Sequence, residues 1–172
     1  MSRYTANLRK SKDKSDIYPT PEWVTEKLMN NVEFNGSITE PACGYGHMAE
    51  VLKKCYKIHA YDINDLGYGE VKNFLGDSRT YDNIVTNTPY SYAQEFIEHA
   101  LNHTTGKVAM LCRIEFLSSQ KRQDFFSEES TFKNLNLGSQ TEELGFRKER
   151  FCGRYVSILS HLDSMGYNNY KS

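Results

Sequence analysis

Ser37-Ile38-Thr39-Glu40-Pro41-Ala42-Cys43-Gly44-Tyr45-Gly46 reads as a short strand running into a glycine-punctuated loop. Behind it, Met48, Val51, Leu52 and Cys55 fall on one helical face, and Ile58-His59-Ala60-Tyr61-Asp62 alternates as a second strand. Strand, glycine loop, helix and strand in that order make a βαβ unit, which closes on a parallel pair through a right-handed crossover.

The same rhythm continues on both sides. Upstream, Trp23, Val24, Leu28 and Met29 recur at helical spacing, and Thr20-Pro21-Glu22 matches a cap, a proline at the first helical position and a first-turn acid. Downstream, Val71 to Leu75 is a weak third element and Asp82 to Thr86 a further strand. Ser91 to Leu101 follows as an amphipathic helix, Lys107 to Cys112 as a buried strand and Phe116 to Phe126 as another helix. Beyond Ser127 the pattern loosens, and Tyr155 to Leu162 alternates as one last strand with Val156, Ile158 and Leu162 facing one way. The expected fold class is α/β, with a mostly parallel sheet and helices on both faces.

At 172 residues, with 38% hydrophobic and 25% charged side chains, the chain is expected to form one domain over residues 16–172. No apolar run approaches the roughly 18 residues of a membrane span, so a cytoplasmic protein without a membrane partner is expected. Cys43, Cys55, Cys112 and Cys152 lack metal-ligand or paired spacing and read as reduced small hydrophobes. The net charge of −1 does not mark a nucleic-acid binder, but Arg3, Arg9, Lys10, Lys12 and Lys14 crowd a basic arm over residues 1–15. Such an arm either lies along phosphates or is a solvated tail.

Ligands of open α/β sheets bind beyond the strands' carboxyl ends, where Glu40 to Gly46 lies. Two glycines let the backbone approach a ligand closely. Asp62 is placed to accept hydrogen bonds from a ribose diol, and Asp77 to accept from an adenine amino group. Gly44-Tyr45-Gly46-His47-Met48-Ala49 also satisfies the GxGxxG/A dinucleotide fingerprint, so nicotinamide or flavin binding stays open, as does a plain strand–helix turn. Against a dinucleotide, the chain is short for a second mononucleotide half. Asn87-Thr88-Pro89-Tyr90 follows the strand ending at Thr86. A polar side chain, a proline-stiffened turn and an aromatic ring at a strand's end suit gripping a flat group that carries an amine. A plain turn is the alternative.

With Glu40 to Gly46, Asp62 and Asn87 to Tyr90 in this order, the chain resembles class I S-adenosylmethionine-dependent methyltransferases. It is most similar to the small adenine-N6 DNA methyltransferases of phages. Ile17-Tyr18-Pro19-Thr20-Pro21 resembles the segment these enzymes lay across the donor. Leu111 to Leu117 with Arg122 resembles their next strand and helix, and Gly166-Tyr167-Asn168 their terminal strand region.

The resemblance implies a Rossmann-like methyltransferase sheet with a reduced C-terminal part and S-adenosyl-L-methionine as cofactor. Tyr18, Thr20, Glu40, Ala42, Gly44, Gly46, Asp62, Asp77 and Asn87 are implied at the donor, and Asn87, Thr88, Pro89 and Tyr90 at the acceptor. The acceptor's poorly nucleophilic amine would be held by the Asn87 side-chain oxygen and the residue 88 carbonyl. Tyr90 would stack on a base taken out of the duplex, with catalysis mainly by positioning. Thr88 stands where the family usually has proline; Pro89 keeps it extended and its carbonyl survives. Neither His47 nor His99 is needed as a base, and both are expected at the surface; Tyr92 is expected on a helix face.

Residues 128–150 are polar and short for the antiparallel strand pair that closes this fold. With no separate recognition domain, target selection falls to loops, the basic arm, a protein partner or a second copy. RNA or protein glutamine as acceptor and a non-catalytic donor-binding relative remain alternatives to DNA, and a phage enzyme would work in the host cytoplasm.

Overall fold

The computed structural model describes residues 19–113 and the backbone of two further strands, 132–136 and 155–160. Tyr18, the basic arm, the expected helix at 116–126 with Arg122, and residues 166–168 lie outside the described residues.

The elements run α1 (Glu22–Asn31), β1 (Ile38–Glu40), α2 (His47–Leu52), β2 (Ile58–Asp62), β3 (Glu70–Val71) and a 3-10 turn (Phe74–Gly76). After these come β4 (Asn83–Asn87), a second 3-10 turn (Tyr90–Tyr92), α3 (Ala93–His103), β5 (Val108–Arg113), β6 (Phe132–Asn136) and β7 (Tyr155–Ser160). The strands form one sheet of order β3-β2-β1-β4-β5-β7-β6, and every pairing in it is parallel. This is a Rossmann-like α/β fold.

The alternation of side chains along β4 and β5 divides the core in two. Val85, Ala109 and Leu111 join Ile38 beneath Val24 and Leu28 of α1 and Met48 and Leu52 of α2. Ile84, Val108, Met110 and Cys112 face Phe96, Ile97 and Ala100 of α3, together with Phe74 and Tyr81. Helices therefore cover both faces, which buries Asn83–Thr86 and Val108–Cys112 on both sides of the sheet. Asn83 stitches the sheet's lower edge: its amide donates to the Asn35 and Ser37 carbonyls at 2.7 and 3.0 Å and accepts from Lys107 N at 2.9 Å.

The structure corrects several expectations. The helix after the glycine loop ends at Leu52, so Cys55 is exposed rather than on its buried face. Pro21, not Thr20, occupies the cap of α1, and no side chain among the described residues caps that helix. Within the polar stretch 128–150, for which no strand is assigned from sequence, Phe132–Asn136 pairs with β7 as the sheet's edge. The sheet expected to be mostly parallel is parallel in every pairing among the described residues, β7 with β5 and β6 with β7 included. No described helix is long and apolar enough to cross a membrane.

Candidate functional site

The sheet order reverses between β1 and β4. The chain moves outward from β1 through β2 to β3, then returns to lay β4 on β1's other side. That reversal opens a crevice at the carboxyl edge, the position where open α/β sheets bind ligands. Ile38 pairs with Asn83 and Thr39 with Ile84, so continuing the register sets Ala42 level with Asn87. The loop after β1 and the last residue of β4 thus flank one crevice.

The loop is fixed mainly by backbone. Cys43 N donates to Tyr61 O at 3.1 Å and Gly46 N to Cys43 O at 2.8 Å, which folds the chain back before α2. Gly44 and Gly46 take φ of 53° and 84°, the left-handed region where a Cβ is strained. Gly44 N donates to Asp62 Oδ2 at 3.0 Å, while Asp62 Oδ1 accepts from Asn64 N at 2.9 Å. The carboxylate at β2's end therefore braces the glycine loop; Asn64 Nδ2 also donates to Oδ1, at 3.2 Å, so Oδ2 is the oxygen that keeps a second lone pair by valence.

Glu40 is buried at the end of β1 with 2% of its surface exposed. Its Oε2 has no hydrogen-bond partner among the described residues. Burial pushes its pKa well above the carboxylate range, and the Asp62 charge adds to the effect; only the Ala49 N–H opposes it. A buried acid with an orphaned oxygen suits a cationic or donor-bearing ligand group. Burial, with the Glu40 and Asp62 charges, also pushes the Cys43 thiol up to about 12, so Cys43 offers no thiolate at neutral pH.

Across the crevice, Asn87 Nδ2 donates to Thr20 Oγ1 at 3.1 Å. Here is where the hydroxyl expected to cap α1 goes: it holds the Asn87 amide instead. Fixing the nitrogen sets the direction of the other branch, the carbonyl oxygen. Thr88 is buried and turns its hydroxyl inward to Leu111 O at 3.4 Å. Pro89 is trans, with φ −56° and ψ 123°, and leads into the turn that carries a half-buried Tyr90. Tyr92 precedes the first residue of α3 and packs on the core beneath it.

Asp77 sits elsewhere. Its carboxylate pairs with Lys72 at 2.5 Å and Arg79 at 3.0 Å and accepts from Tyr81 Oη at 2.6 Å. Burial works to raise its pKa, but the bonds from Lys72, Tyr81 and Arg79 hold it well below the usual carboxylate range. Because Tyr81 donates to this acceptor, Tyr61 Oη must donate to Tyr81 Oη at 2.8 Å. The Asp77 carbonyl accepts from His99 Nε2 at 2.8 Å. His99 is therefore a packed histidine, edge-on to Phe74 and stacked on His103, rather than a surface residue; burial lowers its pKa. His47 is exposed. So the structure brings Thr20, Glu40, Ala42, Gly44, Gly46, Asp62 and Asn87 to Tyr90 to one edge, and commits Asp77 to an internal network.

Two residues at this edge escaped the sequence reading. Ile63 directly follows Asp62 and is 39% exposed, an apolar side chain at the site rather than in the core. Tyr68, from the β2–β3 loop, lies against Gly46, where a Cβ would meet its ring at 2.4 Å. Only the distance in sequence between Tyr68 and the glycine loop hid that contact. No known protein family, curated protein or solved structure matches this chain.

Proposed function

We propose that this chain is an S-adenosyl-L-methionine-dependent N-methyltransferase whose acceptor is the exocyclic N6 amine of adenine in DNA. The observation that carries the reading is the meeting, at one switch point, of a braced glycine loop on β1 and a pre-oriented Asn87 amide on β4. The residues present fit the donor: the orphaned Glu40 Oε2 suits its ammonium, the Gly44 loop its amino-acid part and the second lone pair of Asp62 Oδ2 a ribose hydroxyl. Exposed Ile63, next to that acid, suits the face of the donor's base. When bound, the donor supplies an electrophilic methyl group.

The chain's own task is then to hold the acceptor. An aromatic amine is a weak nucleophile because its lone pair is delocalised into the ring. Asn87 Oδ1 and the Thr88 carbonyl accept hydrogen bonds from its two N–H groups and draw the nitrogen toward tetrahedral geometry. Tyr90 stacks on the base, which must leave the duplex to reach the site. Thr20 keeps the Asn87 amide from rotating, so the contribution is one of orientation. Neither His47, which is exposed, nor His99, which is occupied by Asp77, is asked to move a proton.

Dinucleotide binding is the weaker reading for two reasons. The turn after β4 carries Asn-Thr-Pro-Tyr where a second nucleotide half would begin, and β7 is inserted between β5 and β6, unlike the 3-2-1-4-5-6 order of dinucleotide folds. Transfer of labelled methyl from the donor to unmodified DNA is the test. Incorporation at adenine N6 that is lost in Asn87→Ala supports the proposal. No incorporation above the Asn87→Ala background refutes it, and label in RNA or in protein glutamine instead would reassign the acceptor.

A further inference from the structure

Gly46, Glu50 and Lys53 lie at i, i+4 and i+7, forming one stripe along α2 and the turn beyond it. Tyr68 lies along that stripe. Its ring is pressed on Gly46, its hydroxyl donates to Glu50 Oε1 at 2.5 Å, and Lys53 Nζ stands 4.8 Å from the ring centroid. The ring runs down the helix, from Gly46 to Glu50 and Lys53. Gly46 lacks a side chain because Tyr68 occupies that space, a different reason from ligand approach.

The loop that carries Tyr68 begins and ends on the glycine loop. It starts at Asp62, which accepts from Gly44 N. It finishes at Tyr68, whose carbonyl accepts from Cys43 Sγ at 3.6 Å. Gly69 then passes so close to β2 that a Cβ would lie 2.6 Å from Ala60 O and 3.0 Å from Cys43 Sγ. Two loops from adjacent strands are thus fastened at both ends.

We propose that Tyr68 is a positioning residue that latches the β2–β3 loop onto the glycine loop and α2. The latch fixes the separation between the Gly44 amide and the Asp62 carboxylate. Resting on the function proposed above, it sets donor affinity: a cradle whose two arms are held at the right separation spares the ordering cost of binding. Tyr68 touches neither donor nor acceptor, so its loss weakens donor binding and leaves the chemical step alone.

Binding of S-adenosyl-L-methionine by calorimetry, steady-state kinetics on DNA and amide hydrogen exchange over residues 44–48 test this together. Tyr68→Ala is expected to raise the donor Kd and KM about tenfold or more, the factor for roughly 1.4 kcal/mol, with kcat at saturating donor unchanged and exchange at 44–48 accelerated. Tyr68→Phe, which keeps the ring on Gly46, is expected to stay within about threefold of the parent chain. If Tyr68→Ala does not fold, Glu50→Ala, which keeps the ring on Gly46 but removes the acceptor shared by the Tyr68 hydroxyl and Lys53, carries the test with a shift of about threefold. Unchanged Kd and exchange in the variant overturn the proposal, as does a kcat loss with KM unchanged. If the parent chain binds no donor, the functional reading fails, and exchange at 44–48 still decides whether the latch exists.

Discussion

Glu40→Gln separates a carboxyl that is neutral in the folded chain from one that is charged. Glu40 is buried with an unpartnered Oε2 among the described residues, and burial raises its pKa well above the ordinary 4.5. A group raised in this way stabilises the fold fully below its unfolded pKa, and the contribution is lost as pH rises toward the folded value. Above 4.5 the unfolded chain releases this proton while the folded chain keeps it. The slope is about 1.4 kcal/mol per pH unit. As pH rises above 4.5, the parent chain should lose stability relative to Glu40→Gln, at up to that slope, until the folded carboxyl itself ionises. Glutamine brings one more donor, and burying it unpaired costs about 1–3 kcal/mol. That cost does not vary with pH, so the slope of the difference is diagnostic and its offset is not. Urea unfolding of both chains at half-unit pH steps measures it. Parallel profiles, with a difference constant to about 0.5 kcal/mol, would refute the neutral buried acid. Under the proposed function, a donor ammonium beside Glu40 expels this proton. Donor affinity should then rise up to about tenfold per pH unit in the parent chain and stay flat in Glu40→Gln.

Thr88→Val removes a 3.4 Å hydrogen bond to Leu111 O but keeps the backbone carbonyl proposed as an acceptor. Methyl transfer should stay within about twofold and stability within about 1 kcal/mol; a loss comparable to Asn87→Ala would assign the chemistry to the hydroxyl. Tyr81→Phe strips the buried relay between Tyr61 and Asp77 of its middle hydroxyl. The unfolding free energy should fall by about 1–3 kcal/mol, with donor binding unchanged, because the Tyr81 hydroxyl takes no part in the hydrogen bonds of Gly44, Asp62 or Asn87. A donor-binding defect in Tyr81→Phe at unchanged stability would show that Asp77 belongs to the site after all.

The parts of this fold that could be read from sequence are those with local causes. Apolar runs such as Ile84-Val85 and Val108 to Leu111 must be covered on both faces, and they are. The glycine loop reported a backbone demand that it carries within itself, the positive φ of Gly44 and Gly46. What stayed hidden was set by partners distant in the chain. Thr20 has the chemistry of a helix cap, and only the approach of β4, 67 residues away, turns its hydroxyl to Asn87. Asp77 follows the third element as an adenine-binding acid should, yet Lys72, Arg79 and Tyr81 use its oxygens. Strand β6 was missed because Phe132-Lys133-Asn134-Leu135-Asn136 has too few apolar residues to set a period, and its pairing with β7 decides it.

These non-local contacts also explain why the site needs so little reactive chemistry of its own. The thiol at its rim is held protonated and the half-buried His99 donates to the Asp77 carbonyl, so neither of these described groups is an activated nucleophile or base for it. What the edge does possess is fixed direction: an amide anchored by a hydroxyl, a carboxylate anchored by two backbone N–H groups and a proline-set turn beneath a tyrosine. Such an arrangement favours reactions in which a reactive partner is delivered and the protein supplies alignment. Methyl transfer to an amine has that character, since the electrophile arrives with the donor and the acceptor needs only its protons held and its face presented. Hydride transfer would ask instead for a second nucleotide seat after β4, and Asn87 to Tyr90 stand in that place.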